Sequence, residues 1–292
     1  MTARPRRALA AILLAVAAVV AVPAAAQQQV RVPVVDGGAP LTLAATLFRP
    51  AGAPGPAPAV AILHGCGGVG VNVTRMAQRL AARGYVALLV DSFGARGIRD
   101  ACTRNWPTLA QAAERARDPV AAVAWLRAQP FVAADRVAVM GYSYGGGVAL
   151  MRALEPARGA TSAARPPAAP LARAVIAVYP DCALPHPDSG ALVARQPVLM
   201  AMAERDDWTP VAQCEALLAR IGDGRGRIET KIYPGAYHSF DAVGLPVRYL
   251  AAAGNRSKPG GCCGAHYGHD PDAYARFVVD VDLFLARELR GP

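Results

Sequence analysis

Short apolar runs recur along this chain, separated by stretches of helical periodicity. Val30 to Val35 and Leu41 to Phe48 flank an Asp-Gly-Gly turn, which predicts a β-hairpin. A Pro/Gly/Ala connector from Pro50 to Pro58 follows. Ala59 to Leu63 is continuously apolar, as expected for a strand covered on both faces. Thr74 to Arg83 reads as a helix stopped by Gly84, and Tyr85 to Val90 as the next buried strand. Thr108 to Gln129 is helical in pattern, with Pro119 placed to break or kink it. Arg136 to Met140 is a further buried strand, and Val148 to Leu154 opens a helix. Glu155 to Pro170 carries no periodicity and reads as a surface loop. Beyond it, strands are expected at Ala174 to Tyr179, Val198 to Ala203 and Ile228 to Tyr233, with a helix at Val211 to Ile221. Asp270-Pro271 caps and opens a last helix that runs to about Leu289.

Strands alternating with helices predict an α/β protein, a mainly parallel sheet with helices on both faces. In such sheets ligands bind beyond the carboxyl ends of the strands. Five chemically distinctive places fall there: His64-Gly65-Cys66, Asp91, Ser143, Asp206 and His238.

The sharpest signal lies between strand and helix, in Gly141-Tyr142-Ser143-Tyr144-Gly145-Gly146-Gly147. Strand, Gly-x-Ser-x-Gly, helix is the setting of a nucleophile elbow, where small residues let a tight turn present the serine. The bland alternative is a glycine-rich turn whose serine caps the helix. A serine hydroxyl needs a base, and that base needs a carboxylate to orient it. Ser143, Asp206 and His238 occur in the order Ser, Asp, His, each just after a predicted strand. Asp207 and Asp181 are the rival acids. His64, His186, His266 and His269 are the rival bases. The negative oxygen of a tetrahedral intermediate requires preorganised N–H donors. Those expected are the backbone N–H groups of Tyr144 and, from the loop after an earlier strand, Cys66. Tyr142, Tyr144 and Trp208 are candidates to line the pocket, or else rim packing.

HGCGG at 64–68, DSFGARG at 91–97, GYSYGG at 141–146, DDWTP at 206–210 and YPGAYHSFD at 233–241 together resemble the dienelactone hydrolase family of α/β-hydrolases, in its exported branch with a serine nucleophile. The resemblance implies the α/β-hydrolase fold, the triad Ser143, Asp206 and His238, and hydrolysis of a small-molecule ester or lactone without metal or other cofactor. It also implies Arg96 as a contact to a substrate carboxylate, with a structural salt bridge as the alternative. Three departures stand out. The founding members use cysteine as nucleophile, carry a glutamate in the oxyanion-loop region, and place a second substrate-binding arginine shortly after the catalytic histidine. Here those places read Ser143, His-Gly-Cys-Gly-Gly, and Ser239-Phe240-Asp241-Ala242. A general carboxylic-ester hydrolase fits better than a dienelactone-specific one. A peptidase or acyltransferase on the same triad, or a non-catalytic binding protein of the same fold, are the alternatives.

The chain has 292 residues and a formal charge of +10. Arg4, Arg6 and Arg7, the apolar stretch Ala8 to Val22 and Ala24-Ala25-Ala26 predict a signal peptide over 1–26, leaving one domain over 27–292. The protein is therefore expected to be exported, periplasmic or secreted, with no membrane anchor after cleavage. Loss of the three arginines leaves +7, without a basic run or an aromatic RNA motif, so a nucleic-acid partner is not expected. Oligomeric state is not legible. Six cysteines in an exported chain suggest disulfides. Cys66 and Cys102 follow neighbouring strands on the catalytic side, so Cys66–Cys102 is one expected bridge. Cys182–Cys214, bracing the acid-bearing loop, is the other. Cys262 and Cys263 either pair or stay free. Adjacent cysteines suit a zinc ion poorly, so Cys262, Cys263, His266 and His269 are not expected to hold one.

Overall fold

The computed structural model describes residues 26–103, 109–156, 170–184, 190–222 and 225–290. The predicted signal peptide (all but its last residue), His186 and most of the 155–170 loop lie outside the described residues.

Eight strands form the central sheet: β1 (Ala26–Asp36), β2 (Ala39–Arg49), β3 (Ala57–Leu63), β4 (Val86–Asp91), β5 (Val132–Tyr142), β6 (Ala174–Val178), β7 (Val198–Ala203) and β8 (Ile228–Tyr233). Their order is β1-β2-β4-β3-β5-β6-β7-β8. β2 runs antiparallel to both neighbours, and the strands from β4 to β8 pair in parallel. This is the α/β-hydrolase sheet, as the sequence predicts.

Alternate residues of each central strand point to opposite faces. In β3, Ala59, Ala61 and Leu63 join one core and Val60 and Ile62 the other. Both faces are buried, which explains why the run reads as unbroken apolar sequence. The helices divide accordingly. α1 (Val71–Ala82) and α6 (Pro271–Leu285) cover one face through Met76, Leu80, Phe277 and Phe284. α2 (Leu109–Arg115), α3 (Asp118–Arg127), α4 (Tyr144–Ala153) and α5 (Val211–Leu218) cover the other through Ala112, Leu126, Val148 and Leu217. Among the described residues no helix is long and apolar enough to cross a membrane.

The pattern expected over 108–129 resolves into α2 and α3, separated at Arg117-Asp118-Pro119. Pro119 falls in the first turn of α3, where its missing N–H costs nothing. Two short antiparallel strand pairs carry no clear sequence signal. Leu154–Pro156 pairs with Leu192–Ala194, so the start of the expected 155–170 loop is strand. Arg248–Leu250 pairs with Ala265–Tyr267. Three-residue strands are too short for periodicity to reveal. The sulfurs of Cys66 and Cys102 are bonded at 2.02 Å and those of Cys182 and Cys214 at 2.01 Å. Cys262 and Cys263 pair with each other.

Backbone crowds backbone where β5 turns into α4. A Cβ on Gly141 would overlap the carbonyl of Gly145, and one on Gly145 would overlap the carbonyl oxygen of His64. We expect Gly141→Ala to cost about 1–3 kcal/mol through forced backbone displacement. A urea midpoint equal to that of the parent would contradict this packing.

Candidate active site

Ser143 occupies the tip of the β5–α4 turn with φ 52° and ψ −117°, a positive φ that non-glycine residues rarely adopt. Its N–H donates to Val178 O at 2.9 Å, and its carbonyl accepts from Gly147 N at 2.9 Å and Asp181 N at 3.0 Å. The strained conformation is thus held from β6 and from within α4. The residue is 5% exposed.

The loops after β7 and β8 bring two further groups to Ser143. His238 Nε2 lies 3.0 Å from Ser143 Oγ, and His238 Nδ1 lies 2.7 Å from Asp206 Oδ2. Asp206 Oδ1 accepts the N–H groups of Trp208 at 2.9 Å and Thr209 at 2.8 Å. Thr209 Oγ1 lies 3.0 Å from Asp206 Oδ2 and 3.2 Å from His238 Nδ1. An acceptor-only carboxylate at Nδ1 fixes the tautomer: the proton is on Nδ1 and Nε2 faces the serine hydroxyl as acceptor. The rings of Tyr179 (4.6 Å) and Trp208 (5.0 Å) clasp the imidazole. Trp208 Nε1 donates to Gly254 O at 2.8 Å.

The rival residues have other roles. Asp207 accepts the backbone N–H of His266 at 2.7 Å and pairs with its Nδ1 at 2.8 Å. That contact ties the 248–267 excursion to the acid loop, with Asn255 Nδ2 donating to Asp207 O at 2.7 Å. Asp181 is buried 3.8 Å from Arg256. Burial pushes its carboxyl above the usual range, against the pull of that arginine. Among the described residues no cluster of three or more His, Cys, Asp or Glu has the arrangement to hold a metal ion.

His64 lies wholly within the fold. Its Nε2 accepts Ser92 N–H at 3.1 Å, and its Nδ1 lies 2.7 Å from Gly65 O. Burial, reinforced by the Arg115 charge, lowers its pKa to about 3. The loop it begins packs on Ser143: a Cβ on Gly65 would stand 3.4 Å from Ser143 Cβ. Ala101 N–H donates to Cys66 O at 2.9 Å, and the Cys66–Cys102 bridge secures the same loop. Among the described residues neither Cys66 N–H nor Tyr144 N–H has a backbone acceptor.

The candidate substrate contacts Arg96 and Tyr142 both have protein partners. Arg96 is salt-bridged, and it borders a cavity that Arg115 and Tyr144 also line. Its Nε donates to Asp36 at 2.6 Å, its Nη1 to Ser92 O at 2.6 Å, and its two Nη atoms to Asp118 at 3.0 and 2.8 Å. Every nitrogen is engaged, which supports the salt-bridge alternative. Tyr142 does not line a pocket. One residue from the tip, its side chain projects to the α1/α6 face, is 1% exposed and packs on Tyr179. Trp208 is 5% exposed and bears on His238, so it positions that ring more than it forms a wall. Thr209, Tyr179 and Asn255 are the site residues that sequence reasoning passed over. Thr209 was within reach, because it lies in the same DDWTP stretch as Asp206.

The family model of the dienelactone hydrolase family matches residues 43–258. The chain belongs to the dienelactone hydrolase family. It is accordingly a hydrolase acting on ester bonds. Solved structures agree on the fold. A dienelactone hydrolase-like promiscuous phosphotriesterase, P91, from metagenomic libraries is 19% identical, with a TM-score of 0.60 over 90% of this chain and 99% of that one. Esterase 2 of Thermogutta terrifontis is 17% identical, with a TM-score of 0.58 over 91% and 95%. Dienelactone hydrolase from Anabaena variabilis is 22% identical, with a TM-score of 0.52 over 73% and 88%. No curated protein matches the chain significantly in sequence.

Two outcomes follow from this geometry. Arg96→Met leaves the fully buried Asp118 unpaired, and should cost about 3 kcal/mol of stability without raising KM for anionic esters. A raised KM confined to anionic esters would return Arg96 to substrate binding. His64 accepts a proton near pH 6.5 when unfolded but only near pH 3 when folded. The unfolded state therefore binds more protons between those values, so the stability is fully present above about 6.5 and is lost as pH falls towards 3. The urea midpoint should drop less between pH 7 and pH 4 in His64→Gln than in the parent. Equal drops would show that His64 is not held neutral.

Proposed function

We propose that the protein is a serine esterase with Ser143 as nucleophile, His238 as general base and acid, and Asp206 as the residue that orients His238. The observation that carries this reading is the buried relay from Ser143 Oγ through His238 to Asp206, at 3.0 and 2.7 Å. Nε2 takes the hydroxyl proton as Oγ attacks the ester carbonyl carbon. The imidazolium so formed is stabilised by Asp206, whose other oxygen is already committed to two N–H groups and cannot swing away. The carbonyl oxygen becomes an oxyanion held by Cys66 N–H and Tyr144 N–H. Collapse returns the proton to the leaving alcohol and leaves an acyl group on Ser143. Water, deprotonated by His238, then releases the acid and restores the enzyme.

The reading extends to location. Residues 1–26 direct export and are removed, and the mature chain 27–292 acts in an oxidising compartment. Three disulfides support this, since such bonds persist chiefly outside the cytosol. Cleavage after Ala26 would leave β1 nearly whole as the sheet's edge strand. The substrate is a small-molecule carboxylic ester or lactone.

A panel of p-nitrophenyl esters with the mature protein provides the test. Ser143→Ala should lower kcat by about four to six orders of magnitude. Asp206→Asn should lower it by about 10³- to 10⁴-fold, since amide in place of carboxylate favours the wrong tautomer. Asp207→Asn, which alters only the His266 tie, should stay within a few-fold of the parent. Equal hydrolysis by parent and Ser143→Ala would remove Ser143 from the nucleophile role.

A further inference from the structure

Arg115, at the end of α2, is 2% exposed, yet among the described residues no carboxylate pairs with it. The nearest candidate, Asp118, is taken on both oxygens by Arg96. A guanidinium buried without a counter-ion is costly to keep. Its surroundings do not suit an anionic ligand either. The adjoining cavity of about 230 Å³ is lined by Asp100 and Glu114 as well as by Arg115. Its contacts run instead to the two segments that carry the oxyanion donors. Nη2 donates to His64 O at 2.5 Å. The guanidinium carbon lies 4.2 Å above the ring of Tyr144 and 4.9 Å from that of Phe93. Nε and Nη1 have no hydrogen-bond partner among the described residues.

We propose that Arg115 is a positioning residue for the oxyanion hole: it clamps the His64–Cys66 turn against Tyr144 and sets a fixed positive potential beneath the developing oxyanion. The proposal rests on Ser143 being the nucleophile. The guanidinium holds His64 by its carbonyl, and Nη2 also stands 3.4 Å from His64 Nδ1. Ser92 N–H donates to His64 Nε2, so the His64 proton is on Nδ1 and is donated to Gly65 O. Gly65 C=O and Cys66 N–H are the two ends of one peptide group. A bond to that carbonyl polarises the N–H opposite and strengthens it as a donor. The Arg115 charge disfavours a second proton on His64 and so preserves the pattern. On the other side, stacking on Tyr144 steadies the residue whose N–H completes the hole. A preorganised cation in a dry site stabilises developing negative charge without reorganising at the moment of reaction.

Arg115→Met and Arg115→Gln remove the charge while filling similar space. Fluorophosphonate titration counts the reactive serines, and kcat and KM are then expressed per titrated serine. Absence of labelling in the parent would defeat the Ser143 reading itself, separately from this proposal. With labelling intact, kcat per serine should fall about 10- to 100-fold at unchanged KM, less than the loss on deleting a donor outright. Affinity for a trifluoromethyl ketone should fall by the same factor, because its adduct with Ser143 Oγ carries the oxyanion. Affinity for the product alcohol should not change, and Arg115→Lys should recover most of kcat. A lowered Tm with unaltered kcat per serine would overturn the proposal. So would failure of both neutral variants to yield any titratable serine beside a fully active lysine variant, which would make Arg115 a folding residue only.

Discussion

The approach of backbone to backbone under Ser143 is the constraint on which the rest of the site depends. Positive φ at a serine persists only if neighbouring structure enforces it. Here β6 takes the Ser143 N–H, α4 and Asp181 take its carbonyl, and glycines at 141 and 145 admit a turn that any Cβ would block. The same crowding sets Gly65 against the serine side chain, so the candidate oxyanion loop and the candidate nucleophile are registered to one another by direct packing.

Around that point the fold separates two jobs that charged residues can do. Arg96 and Arg115 are close in space and both largely buried, yet one is fully paired and the other is not. Arg96, with Asp36 and Asp118, fastens β1 to the start of α3. Arg115 has a peptide carbonyl and aromatic faces for partners. Asp118 pairs with Arg96 through both of its oxygens, and no salt bridge joins it to Arg115 among the described residues.

On the opposite flank the two adjacent aspartates diverge for a similar reason. Asp206 faces inwards at the end of β7 and meets His238. Asp207, next along the chain, projects the other way and holds the 248–267 excursion through His266. That excursion in turn reaches the candidate oxyanion side, where Gly254 N–H donates to Cys102 O at 2.7 Å. The excursion therefore joins the loop of Asp206 to the segment bridged to Cys66.

The sequence by itself determined the order and kind of elements, the elbow, and the identity of Ser143, Asp206 and His238 as the residues to watch. These rest on local rules: unbroken apolar runs for strands covered twice, proline at a helix start, glycines about a sharp turn, and polar residues directly after strands. It also singled out Cys66–Cys102 by their places after neighbouring strands, and Cys182–Cys214 by a strand end and the helix after Asp206. Only the tertiary structure decided what depends on side-chain direction and on partners far along the chain. Tyr142 lies beside Ser143 in sequence but on the other face of the sheet, because strand residues alternate. Arg96 pairs with Asp36 and Asp118, separations of 60 and 22 residues that no motif encodes. Thr209, Tyr179 and Arg115 took their roles from packing against groups brought close by the sheet order. Periodicity reports which residues are buried; which polar groups meet inside is settled when the layers close.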